Sequence, residues 1–135
     1  MSGRSIFALV IGAAALAAAV PAIAHHSFAA EFDSNKPVTI VGMVTKVEWA
    51  NPHARFQVDT KDSNGKVVNW DFELASPNGL MRRGWTRNSL KPGDAVTVTG
   101  YAAKNAPYVG NASSITMTDG RKMFAGSSFE GSPTR

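Results

Sequence analysis

The sequence predicts an all-β fold carrying one short helix, and three observations support that class. Short segments rich in β-branched and aromatic residues recur between turn signals, at 38–49, 53–60, 66–74, 95–101 and 111–118. In the clearest of them Val68, Trp70, Phe72 and Leu74 alternate with Asn69, Asp71 and Glu73, the period of a strand with one wet face. Only the stretch from Ser76-Pro77 to Gly84 carries helix start and stop signals. The chain has 135 residues, 44% of them hydrophobic, which supplies one domain with a modest core. With no cysteine there is no disulfide framework, thiolate metal site or Cys nucleophile.

Residues 1–24 read as a secretory signal peptide. Arg4 gives the positive start, Ile6 opens an alanine-rich apolar run ending at Val20, and Pro21 breaks it ahead of Ala22-Ile23-Ala24, an A-x-A cleavage site. The run is shorter than the ~20 apolar residues of a bilayer-spanning helix. Cleavage after Ala24 leaves 111 of the 135 residues and lowers the net charge from +4 to +3, because Arg4 is the single charged side chain removed. That mild excess is no nucleic-acid footprint. With no lipobox cysteine and no transmembrane anchor left after cleavage, a soluble periplasmic protein is expected.

The mature chain opens with an arm, residues 25–37, that shows no period. In the first strand Val41, Met43, Val47 and Trp49 share a parity, and Gly42 inside it marks a bulge or bend. Asn51-Pro52 breaks the chain before the second strand, where Ala54, Phe56 and Val58 face inward and His53, Arg55, Gln57 and Asp59 outward. Asp62-Ser63-Asn64-Gly65 predicts a hairpin, since Asn and Gly tolerate positive φ. Ser76 caps a helix reaching about Arg83. A turn at 89–94 leads to the fourth strand, and a Gly/Pro-containing loop to the fifth. Asp119-Gly120 returns a short edge piece through Phe124, and the Ser/Gly-rich residues 126–135 form a flexible tail. The folded domain is thus placed at 38–125.

Three strands, a short helix and two more strands, with a bent first strand, is the order of a small OB-like five-stranded barrel, the helix lying between strands three and four.

Several motifs together resemble a family. They are His25-His26-Ser27-Phe28-Ala29-Ala30-Glu31-Phe32-Asp33, Gly42-Met43-Val44-Thr45-Lys46-Val47-Glu48-Trp49, Asn51-Pro52-His53-Ala54, Ser76-Pro77-Asn78-Gly79-Leu80, Arg82-Arg83-Gly84-Trp85-Thr86 and Leu90-Lys91-Pro92-Gly93-Asp94. Over nearly the whole mature chain they are similar to a group of small exported bacterial proteins known only as a domain of unknown function. The resemblance implies a periplasmic OB-like domain. It implies no reaction and no catalytic residue.

Few residues can carry chemistry. After cleavage His25 offers an α-amine and an imidazole to one metal, and His53 or His26 can add a second imidazole. This resembles the histidine brace of copper proteins. Imidazole suits Cu(II), the most strongly bound of the first-row divalent ions, and the amine titrates near ~7.7–8.0. The competing reading is a flexible arm at His25-His26 and a solvent-facing strand residue at His53.

Arg82, Arg83 and Arg87 form a basic cluster at the helix end, with Trp85 beside them partly exposed. They suit a protein partner or an anionic ligand such as a phosphate, an acidic polysaccharide or a lipid headgroup. Arg82 and Arg83 equally complement the helix dipole. An exported location argues against nucleic acid. Trp70 and Phe72 fall on the inward parity and read as core. Asp71 and Glu73 share the outward face of strand three, a pairing that serves acid/base work or simply a wet strand face. No Gly-x-Ser-x-Gly, His-Glu-x-x-His or Walker motif is present. The expectation is therefore a binding or accessory module rather than an enzyme, with no assigned catalytic residue, and copper as its alternative ligand.

Overall fold

A computed structural model describes residues 28–126. The segment read as a signal peptide, His25 and His26, and the tail beyond Gly126 lie outside the described residues. The elements are β1 (Phe32–Glu48), β2 (Arg55–Lys61), β3 (Val67–Glu73), α1 (Pro77–Arg82), β4 (Ala95–Ala103), β5 (Val109–Met117) and β6 (Lys122–Phe124). The sheet runs β3-β2-β1-β4-β5-β6, and a parallel contact at Asp71–Glu73 joins β3 to β5. The fold is all-β, with five strands in a closed ring and β6 appended to β5.

The 17-residue β1 makes the ring possible because it pairs on both sides. Its first half lies against β4, from Phe32 to Met43, and its second half against β2, from Met43 to Glu48. Met43 is opposite both Ala95 and Asp59, so the strand changes partners there. Gly42 stands at this bend, where a Cβ would come within 2.1 Å of the Asp59 carbonyl oxygen. Any larger residue would push β2 away.

Three expectations are corrected here. The first strand starts earlier than residue 38: a single helical turn at 28–31 leads directly into β1 at Phe32, whose ring is buried and packs 5.5 Å from Phe28. This part of the strand lacks period because it is irregular, with a register shift between Phe32 and Pro37. Second, Val41 and Met43 do not share a face with Val47 and Trp49. They are 67% and 53% exposed, while Val38, Ile40 and Val44 pack inward. A register shift between Val44 and Lys46 adds one residue and reverses the parity, which returns Val47 and Trp49 to the core side. Third, Trp85 is core, at 4% exposure, with its Nε1–H donating to the Phe124 carbonyl at 3.0 Å.

The local reason for Trp85 lies in the helix ends. Ser76 Oγ accepts the Gly79 N–H at 3.1 Å to start α1 behind Pro77. At the other end Gly84 takes φ 90 and donates to the Met81 carbonyl, while the Trp85 N–H returns to Leu80. That closure tucks the residue after the glycine onto the last inward side chain of the helix.

The core fills the ring. Ala54, Phe56 and Val58 of the β2 region meet Phe72 and Leu74, with Leu80, Trp85 and Leu90 from the α1 region. Phe56 stacks on its cross-strand partner Phe72 at 5.5 Å, and Trp70 stacks on Phe72 at 5.4 Å. The β2–β3 register is fixed by the turn, where Asp62 Oδ1 accepts the N–H groups of Asn64 and Lys66 and Gly65 takes φ 78.

Candidate functional site

The outer face of β2 and β3 holds the densest set of ionisable groups. The hairpin register sets Arg55 opposite Glu73 and Gln57 opposite Asp71. Arg55 then spans both acids, with Nε 3.1 Å from Asp71 Oδ1 and a terminal nitrogen 3.3 Å from Glu73 Oε2. The ladder continues past β2, since Leu74 donates to Ala54 and Ala54 to Ala75. This brings His53 over the same end, where its Nδ1–H donates to the Leu74 carbonyl at 2.9 Å and stands 3.8 Å from Glu73 Oε1.

Glu73 is the least solvated acid of the group. Burial holds its carboxyl above the usual carboxylate range, with Glu31 and Asp71 adding repulsion while His53 and Arg55 pull the other way. Its parallel partner on β5 is Asn111, 2% exposed, whose buried Oδ1 has no hydrogen-bond partner among the described residues. An amide oxygen desolvated in this way loses about 1–3 kcal/mol relative to one that is paired.

The start of the described chain lands on this cluster. The Glu31 carbonyl accepts the Lys104 N–H at 2.8 Å, and the Lys104 ammonium reaches the Ala29 carbonyl. Phe28 packs edge-on against Tyr101, and Tyr101 is the β4 neighbour of Asn111.

A second feature lies at the opposite end of β3. Val41, Met43, Val67, Trp70 and Tyr108, with Lys61 at the rim, line an open and mainly apolar groove of about 940 Å³. Tyr108 holds φ 54, rare for a bulky residue, and its ring stands edge-on to Trp70 at 5.8 Å. Its carbonyl accepts the Asp71 N–H. Because Asp71 turns its N–H toward β5, Val67 and Asn69, of the same parity, turn their backbone groups that way too. Neither has a strand opposite it there among the described residues, since the β3–β5 pairing begins at Asp71.

The three arginines and Trp85 part company in the fold. Arg82, Arg83 and Arg87 are all exposed, with the Arg83 guanidinium donating to the Gly126 carbonyl, whereas Trp85 is inside the core. Arg87 also borders a shallow pocket of about 300 Å³ with Trp49 and Lys91. Of the three histidines His53 is placed, and no group of three His, Cys, Asp or Glu residues among the described residues could hold a metal by itself.

A family model described as a family of unknown function, DUF6152, matches residues 14–112. The chain belongs to that family. No curated protein and no solved structure matches it. In this DUF6152 chain the matched span takes in His25, His26, His53, Arg55, Asp71, Glu73 and Asn111, and it ends one residue beyond Asn111.

Sequence reasoning found the shared face of Asp71 and Glu73 but missed Arg55, Asn111 and Tyr108. The signal for Arg55 was available: a hairpin turn centred on 62–65 places it opposite Glu73. Asn111 carried no local signal, because its neighbours come from a parallel contact between strands far apart in the chain.

Proposed function

We propose that this chain is an exported OB-like binding module that holds an extended segment of a partner polypeptide in the groove beside Tyr108, without transforming it. Support for the OB-like reading comes from the ring order β1-β2-β3-β5-β4 and from α1 between β3 and β4. Export rests on the character of residues 1–24. No helix among the described residues is long and apolar enough to cross a membrane.

The observation that carries the ligand reading is the edge of β3 at Val67 and Asn69, without a strand opposite it among the described residues and running beside exposed Val41, Val67 and Tyr108. A row of free backbone groups flanked by apolar side chains matches β-strand addition, in which main-chain bonds give affinity and alternate side chains give specificity. The groove lining carries Asp59 and Asp62 against Lys61, a slight acidic excess at its rim.

The test is an NMR titration of the mature protein with heptapeptides that alternate valine and tyrosine, against serine-substituted controls. The Val67 and Asn69 amides are expected to shift, and Tyr108→Ala to weaken binding about tenfold. Shifts confined to Arg82 and Arg87 would overturn the groove and move the ligand to the basic helix end. A concentration-dependent dimer would make a second copy the occupant.

A further inference from the structure

We propose that the pocket between the end of β1 and the α1–β4 connection binds a sugar residue bearing a carboxylate, a hexuronic acid. The site is separate from the groove beside Tyr108, and neither reading depends on the other.

Residues 74–93 hold four cations, Arg82, Arg83, Arg87 and Lys91, and no acid. Two of them, Arg87 and Lys91, share one shallow pocket of about 300 Å³ with Trp49, Asn88 and Pro92. Local structure sets these groups in place. Leu90 is buried and anchors the connection. Ahead of it a turn closes on itself, with the Thr86 N–H donating to Ser89 Oγ at 2.8 Å and the Asn88 N–H to Thr86 Oγ1 at 3.2 Å. Arg87 and Asn88 are thereby held exposed on this turn. Beyond Leu90 the next turn is laced to β1. The Gly93 N–H donates to the Val44 carbonyl at 2.8 Å, and the Val44 N–H to the Asp94 carbonyl at 2.9 Å. On the β1 side, the residue added after Val44 turns Val47 and Trp49 to the core side, where both reach the same pocket.

The electrostatics of the pocket are one-sided. No acid lines it, and neither Arg87 nor Lys91 makes a salt bridge among the described residues. Glu48, next to Trp49 in the chain, is taken by Lys46 at 2.6 Å. The Asp94 carboxylate accepts the Lys91 backbone N–H at 2.9 Å and so serves the turn. Trp49 is half-buried, and unlike Trp85 its indole N–H makes no hydrogen bond among the described residues.

A carboxylate answers the two cations, since a guanidinium binds it with two parallel N–H groups and an ammonium adds a compact charge. The electron-rich face of an indole attracts the C–H groups on the apolar side of a pyranose ring. The Asn88 amide, donor and acceptor at once, suits the sugar hydroxyls. The volume is at the low end for ligand sites, room for one such ring and not for a folded partner.

The experiment titrates isotope-labelled mature protein with sodium galacturonate and follows the tryptophan indole signals and the Arg87 side-chain N–H by NMR. Saturating shifts at Trp49 and Arg87 are expected, with a Kd in the millimolar range and with Trp70 and Trp85 unmoved. Galactose, in which a hydroxymethyl group replaces the carboxylate, and acetate, which lacks the ring, should each bind at least tenfold more weakly. Arg87→Ala and Lys91→Ala should each weaken galacturonate binding at least fivefold, and Arg82→Ala should bind like the parent. All three side chains are exposed, and circular dichroism checks that each variant is folded. Trigalacturonate separates the sources: tighter binding than the monomer points to an acidic polysaccharide, equal binding to a free sugar acid, and both uphold the site. Acetate or galactose binding as tightly as galacturonate would overturn the proposal, as would equal losses in Arg82→Ala and Arg87→Ala. Binding to phosphatidylglycerol vesicles without binding of the sugar would overturn it too, and make the cations a lipid-surface patch.

Discussion

Glu73 and Asn111 are register partners across the parallel seam of β3 and β5, a desolvated carboxyl paired with a residue whose buried amide oxygen has no donor among the described residues. Protonation of Glu73 removes the charge that burial opposes. The folded state therefore favours the protonated acid, and its carboxyl titrates above the ordinary 4.5. The stability this contributes is fully present below the unfolded value and is lost as pH rises through the folded one. Urea midpoints of the parent should fall relative to Glu73→Gln between pH 4 and pH 7.5. Parallel profiles would show that Arg55 and His53 cancel the effect of burial.

Gly42→Ala tests the bend at which β1 changes partners. A methyl group 2.1 Å from the Asp59 carbonyl oxygen forces β1 and β2 apart. A loss of about 2–3 kcal/mol is expected, in the range of overpacked sites, read as a lower urea midpoint.

The parity reversal in β1 predicts an asymmetry between neighbours. Val41→Lys and Met43→Lys place charge on an exposed face and should change stability by no more than about 0.5 kcal/mol. Val44→Lys buries that charge in the ring and should leave the chain unfolded by circular dichroism. Equal behaviour of Val41 and Val44 would place the extra residue elsewhere.

Trp85 and Arg82 separate core from surface at the helix end. Trp85→Ala should lose about 3–5 kcal/mol, as large buried aromatics do. Trp85→Phe should lose less, chiefly the hydrogen bond to Phe124, about 1 kcal/mol. Arg82→Ala should be silent in thermal unfolding.

What the sequence disclosed follows a physical line. The faces of β2 and β3 were legible because nothing interrupts their alternation and Asp62 pins the register of the turn between them. The face of β1 was not, because an inserted residue after Val44 changes the parity without leaving a mark in residue type. Gly42 was noticed, yet it answers to the approach of β2 and not to the insertion three residues on. Trp85 looked peripheral since it follows a basic stretch, and only the turn at Gly84 sends it inward. Asp71 and Glu73 could be assigned to one face from local alternation. Asn111 and Glu31 join them through contacts with no local trace, β5 against β3 and Lys104 against the chain start.

The first half of β1 has its partner some sixty residues away in the chain, in β4. A chain made from its amino terminus onward thus carries that half-strand unpaired until Ala103 has followed it. Before then no native edge exists to hold residues 32–42, and the ring has neither of its long-range seams.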